Sequence, residues 1–194
     1  MAQSVLDRFF PRTFSRGNKA ISLPPGINDH EIIFKTLHNH EFLVHTLYED
    51  NIINLLDHNP ATTTTVFVVK SDVFPHVICK VTLTSFDNGL CIEEDDRKNP
   101  FKGTLRWEVR EREDFHNSGA YHLLESITMS GDPHLCWVSR PGKDNPDRAT
   151  LKLMELLDRI ASEMDNGTGL AQDSGMGESD VHELFSNAWK AKRD

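Results

Sequence analysis

The chain has 194 residues, and a length in the range of about 100–200 residues implies one domain. Its 21 basic and 30 acidic residues give a formal net charge of −9, which disfavours a nucleic-acid binder that needs a clustered basic face. No apolar run approaches the ~20 residues of a membrane span, and Met1 to Pro11 lacks the apolar core of a secretory signal, so no stable membrane insertion and a cytoplasmic location are expected. Three cysteines, Cys79, Cys91 and Cys136, are too few for a disulfide scaffold.

Three regions are read. Residues 1–12 form an N-terminal arm, 13–165 a ligand-binding domain, and 166–194 a flexible Gly-rich linker followed by a short amphipathic helix. The arm and the residues just after it carry Arg8, Arg12, Arg16 and Lys19, which suit either a solvated terminus or an anionic surface. Ala20 to Gly26 reads as a strand end followed by a stiff turn, because two prolines cannot continue a ladder. Asn28 or Asp29 caps a helix with Ile32, Ile33, Phe34 and Leu37 on its apolar face. A second short helix covers Glu41 to Leu47.

Asn51 to Leu56 alternates weakly and ends in the turn cluster Asp57 to Pro60. The Thr- and Val-rich run Thr62 to Lys70 suits a pleated strand, and Val77 to Phe86 is the next one. Asp87-Asn-Gly89 is a hairpin turn, since Asn-Gly supplies the positive φ of a primed turn, and Leu90 to Glu94 returns. The acidic run Glu93 to Asp96 reads as a solvated loop. Thr104 to Glu111 alternates Leu105, Trp107 and Val109 against Arg106, Glu108 and Arg110, so one face is buried. Tyr121 to Met129 is a further strand. A helix opens at Asp144 to Asp147, with a proline in its first turn and a stripe of Leu151, Leu153, Met154, Leu156, Leu157 and Ile160. The terminal helix, with Val181, Leu184, Phe185 and Trp189, either packs back or binds a partner groove.

Pattern alone gives an α+β protein with an antiparallel sheet. The motifs Leu23-Pro-Pro-Gly-Ile27, Leu37-His-Asn-His40, Phe86-Asp-Asn-Gly-Leu90, Gly103-Thr-Leu-Arg-Trp-Glu-Val109 and Gly119-Ala-Tyr121 go further. In order and spacing they resemble a largely uncharacterised family of fungal proteins in the START-like, polyketide cyclase and Bet v 1-like superfamily. The resemblance runs from about Phe14 to Ile160. The chain departs from that family at Leu47-Tyr-Glu-Asp50, where the family carries Leu-Asn-Pro, and in its C-terminal extension. The resemblance implies a helix-grip fold: a curved antiparallel sheet around a long C-terminal helix, with two short helices after the first strand. It also implies a cavity for a small hydrophobic metabolite, and either a cofactor-free cyclase or isomerase, pericyclic closures of the Diels–Alder type included, or a lipid or metabolite carrier without chemistry.

No cofactor or metal is expected. His40-Glu-Phe-Leu-Val-His45 is one residue longer than a zinc-protease motif, and five helical positions separate the two imidazoles by about 140°. The catalytic candidates lie on the strand from Tyr121. Its odd positions are Tyr121, Leu123, Glu125, Ile127 and Met129, and they form the more apolar face. Glu125 among apolar neighbours would have a raised pKa and serve as a proton donor or acceptor, unless it is salt-bridged or reaches solvent. Tyr121 is either a hydrogen-bond donor to a carbonyl or a core aromatic. Trp107, Leu123 and Ile127 are expected to line the cavity, His45 and Tyr48 to stand at its mouth, and Asn54 to point inward as a single orienting polar group.

Overall fold

The computed structural model describes residues 13–27, 29–49, 51–71, 78–96, 101–111, 121–131, 141–142 and 144–167. The expected arm, the terminal helix with Leu184, Phe185 and Trp189, and Cys136 lie outside the described residues. In chain order the elements are β1 (Thr13–Ser22), α1 (His30–His38), α2 (His40–Leu47), β2 (Asn51–Asn59), a 3-10 turn (Pro60–Thr62), β3 (Thr64–Ser71), β4 (Ile78–Phe86), β5 (Gly89–Asp96), β6 (Phe101–Glu111), β7 (Tyr121–Gly131) and α3 (Arg148–Gly167). The strands form one antiparallel seven-stranded sheet in the order β1-β7-β6-β5-β4-β3-β2. The last helix packs on one face of this sheet, with the two short helices beside it, which is the helix-grip layout.

Each element has a local cause. Asp29 caps α1 by accepting the Glu31 N–H at 2.8 Å, and Asn39 ends α1 while capping α2 through the Phe42 N–H at 3.2 Å. The turn before α1 needs Gly26, whose φ of +94° suits no L side chain, and a Cβ there would stand 3.3 Å from Ala161 of α3. At the β4–β5 hairpin Gly89 lets two strands close up, because a Cβ would fall 1.9 Å from the Trp107 carbonyl oxygen.

The core lies between sheet and helices. Leu153, Leu156, Leu157 and Ile160 repeat at helical spacing along α3 and are buried against Phe67, Val81, Leu83, Leu90, Trp107 and Leu123 of the sheet. Leu151 falls outside that stripe and is 46% exposed. On β7 the odd positions are the buried ones from Leu123 to Met129. Strand β5 runs through Glu93 to Asp96, so this acidic run is not a loop. Its period-2 phase carries on from Leu90 and Ile92 and turns Glu94 to the same side.

Strand β2 departs most from expectation. It extends to Asn59, past the expected turn, and its register against β3 shifts between Leu55 and Asp57. Ile53 is half-buried, whereas Ile52, Asn54, Leu55 and Leu56 are exposed. Asn54 therefore points outward, in phase with Ile52 but on the opposite side from the one expected.

Candidate functional site

Two groups of polar residues interrupt the core near the start of α3. The first is structural. Glu125 is fully buried on β7, opposite Trp107 of β6. Its Oε1 pairs with the Arg16 guanidinium from β1. Its Oε2 accepts the Asp147 backbone N–H at 2.8 Å and the Thr150 hydroxyl. Thr150 in turn accepts the Trp107 indole N–H at 2.8 Å. Arg16 also donates to the carbonyls of Asn145 at 2.7 Å and Gly142 at 3.3 Å. One buried carboxylate thus ties two strands, the first turn of α3 and the loop leading into it.

The second group faces a cleft. Tyr48, at the end of α2, donates its hydroxyl proton to Oε1 of Glu94 on β5. Asp147 closes the far side and caps α3 through the Ala149 N–H at 2.8 Å. Lys152 fastens the two helices across the rim, donating to the Leu47 carbonyl at 3.0 Å and pairing with Glu49 at 3.2 Å. A narrow inner recess of about 50 Å³, floored by Ile92, Leu105, Ile127 and Met129, shares Tyr48, Glu94 and Asp147 with an outer cleft of about 650 Å³.

Burial sets the electrostatics of this cleft. It pushes the Glu94 carboxyl above the usual carboxylate range; the Tyr48 hydrogen bond pulls it back and nearby Asp147 pushes it further up. Burial likewise raises Asp147, while the Ala149 N–H and Arg16 lower it and Glu125 raises it. Tyr48 is held well above the ordinary phenol value by burial and then by Glu94, so it stays a donor. Cys79 is pushed up to about 12 by burial and next by Glu94, which keeps it an inert thiol. The chemistry on offer is proton donation and acceptance between two carboxyls of raised pKa at the end of an apolar recess.

Of the residues picked out in the sequence, Tyr48 and Ile127 line this cleft. Trp107 and Leu123 are core residues with no exposed surface. Glu125 lies on the expected face, and it is salt-bridged with both oxygens occupied. Tyr121 stands toward the other end of β7, beside His30, whose Nδ1 is 3.4 Å from its hydroxyl. His45 is half-buried on α2 and is absent from the cleft lining, as is outward-facing Asn54. The residues that sequence reasoning missed are Glu94 and Asp147. For Glu94 the signal was available in the alternation Leu90, Ile92, Glu94, which an acidic run masked. Asp147 was read only as part of a helix opening.

Among the described residues no helix is long and apolar enough to cross a membrane, and no group of three or more His, Cys, Asp and Glu side chains is placed to hold a metal ion.

No family model and no curated protein matches the sequence. Among solved structures, the di-domain aromatase/cyclase StfQ from the steffimycin biosynthetic pathway is similar at 9% identity and a TM-score of 0.47, over 80% of this chain and 52% of that one. A hypothetical protein, jhp0584 of Helicobacter pylori, is similar at 11% identity and a TM-score of 0.48, over 77% of this chain and 87% of that one. The Zhui aromatase/cyclase from Streptomyces sp. R1128 is similar at 9% identity and a TM-score of 0.38, over 93% and 95%. The chain spans about half the length of the di-domain protein.

Proposed function

We propose that this protein is a polyketide cyclase-like enzyme that closes a ring in an oxygenated hydrophobic substrate held in the cleft, without a cofactor, in fungal secondary metabolism. The observation that carries this reading is the Tyr48–Glu94 pair, set beside Asp147 at the end of an apolar recess. The sequence resemblance supports the substrate class and the fungal setting.

The chemistry follows from the raised carboxyls. Burial and the nearby Asp147 both oppose ionisation of Glu94, which makes its carboxyl a better proton donor than a free carboxyl. In an aldol-type closure the ionised carboxylate removes a proton from the carbon next to one carbonyl. That carbon bonds to a second carbonyl carbon, and the neutral carboxyl gives its proton to the second carbonyl oxygen. Glu94, hydrogen-bonded to Tyr48, is assigned the donor role, and Asp147, held by its cap hydrogen bond, the acceptor role. The recess contributes by holding a flexible chain folded near its reacting geometry. Glu125 acts through position: by holding Arg16, Thr150 and the Asp147 backbone it fixes the wall of the cleft.

The test compares metabolite profiles of the source strain with and without the gene, then restores it as wild type, Glu94→Gln or Tyr48→Phe. Loss of a product with accumulation of its uncyclised precursor is expected. Wild type should restore it, and Glu94→Gln should lower turnover by about 100-fold or more, the scale of a lost general acid. A profile changed only in amounts, with Glu94→Gln restoring it fully, would overturn catalysis. It would instead favour the carrier reading, which the apolar floor of the recess also suits.

A further inference from the structure

A second cavity of about 570 Å³ lies at the junction of α1 and α2, under β2, β3 and the end of β4, and shares no lining residue with the cleft. Its size is within the roughly 300–1,000 Å³ of small-molecule pockets. Leu55, Pro60 and Phe67 give it apolar walls. Its polar side is a continuous hydrogen-bonded chain. His58 Nδ1 lies 2.9 Å from the Thr65 hydroxyl, Thr65 lies 2.8 Å from His40 Nδ1, and His40 Nε2 lies 2.8 Å from the Ser85 hydroxyl. His40 and Thr65 are buried, and Ser85 ends the chain at the cavity wall.

We propose that this cavity binds a neutral, ring-containing molecule through a single hydroxyl or carbonyl group presented to Ser85. The lining has no Lys or Arg to hold an anion, and its histidines do not converge as metal ligands. Burial, with His38 and His58 nearby, lowers His40 to about 4, so the central imidazole of the chain is uncharged at neutral pH. Such a chain has two complementary arrangements. In one, Ser85 donates to His40 Nε2, His40 Nδ1–H donates to Thr65, and Thr65 donates to His58; a Ser85 lone pair then accepts from a ligand hydroxyl. In the other, each bond is reversed: His58 donates to Thr65, Thr65 to His40 Nδ1, and His40 Nε2–H to Ser85. The Ser85 proton is then free for a ligand carbonyl. The two arrangements differ in the tautomer of His40, whose ring carries one proton in each.

The proposal is independent of the cleft, and its test separates the two sites. Protein with 15N-labelled histidine is titrated with 2-naphthol, 2-acetylnaphthalene and naphthalene-2-sulfonate, and ring-nitrogen shifts are followed. The two neutral probes should bind saturably and move the His40 Nδ1 and Nε2 resonances in opposite senses, one probe against the other. The sulfonate should bind at least tenfold more weakly. Leu55→Trp, at an exposed position where the fold tolerates bulk, should weaken both neutral probes tenfold or more, and Tyr48→Phe should leave them unchanged. Absence of saturable binding by either neutral probe, equal binding of the sulfonate, or sensitivity to Tyr48→Phe rather than Leu55→Trp would overturn it.

Discussion

Glu125 shows how one residue type can serve two different ends. A carboxyl on an apolar strand face suits acid–base chemistry if it is left to itself. Here Arg16, Thr150 and the Asp147 N–H occupy both oxygens, and the side chain has no exposed surface. Removing one member of such a buried pair leaves the other charge uncompensated. Glu125→Gln should therefore cost about 3 kcal/mol of unfolding free energy, and Thr150→Val, which strands the Trp107 indole N–H and leaves Oε2 of Glu125 with the Asp147 N–H as its donor, about 1–3 kcal/mol. Urea unfolding measures both. A loss below about 0.5 kcal/mol for Glu125→Gln would mean that the Arg16 pair contributes little, as exposed ion pairs do. The partners explain why the sequence could not decide this. Arg16 and Thr150 stand 109 residues before and 25 residues after Glu125, and only the β1–β7 pairing and the landing of α3 bring them together.

At the scale of elements, much was legible because the signals are local. Alternation in β6 and β7, the place of the β4–β5 hairpin, the Asp29 cap and most of the apolar stripe of α3 fell where the residues place them; Leu151 is exposed, and neither Asn88 nor Gly89 takes the positive φ expected of a primed turn, Gly89 being needed for the close approach of β6 instead. Strand β2 and the acidic end of β5 were not legible for a shared reason. An edge strand such as β2 has few buried positions to set its phase, and an acidic run looks solvated unless its alternation is followed into it. The hairpin joining β4 and β5 tests how tightly the sheet depends on one close approach. A Cβ at Gly89 would meet the Trp107 carbonyl at 1.9 Å, and β6 cannot retreat without disturbing Trp107, whose indole is bound to α3. Gly89→Ala should therefore destabilise the protein by about 3 kcal/mol, at the upper end of overpacking costs. Exposed Gly17, where an added Cβ meets nothing within 4 Å, is the control, and Gly17→Ala should change stability by less than about 0.5 kcal/mol. Parallel thermal melts decide it; equal losses at the two positions would remove the close approach as the cause.

Across the whole molecule, the two cavities tilt the pH dependence of stability in opposite directions. His40 is held at about 4, against 6.5 for a free imidazole. Between those values the unfolded chain takes up a proton that the fold refuses, so this contribution is complete above 6.5 and lost as pH falls toward 4. Glu94 and Asp147 behave oppositely. Their folded values lie above the 4.5 and 3.8 of free carboxyls, so they favour the fold at low pH and lose that contribution as pH rises past those values. Each group can tilt the curve by at most about 1.4 kcal/mol per pH unit, and where the carboxyls begin to titrate, above their free values of 4.5 and 3.8 and inside the His40 window, the tilts cancel in part. The wild-type slope should consequently lie between those of the two single substitutions, which unmask its components. Glu94→Gln should make stability rise more steeply with pH over this range. His40→Gln should lower stability throughout, since the links to Thr65 and Ser85 are lost, and should make the remaining curve fall as pH rises. Chemical unfolding at half-unit pH steps resolves the three slopes. If His40→Gln shifted the curve downward without changing its slope, His40 would not be titrating against the fold, and its neutral state in the second cavity would lose its basis.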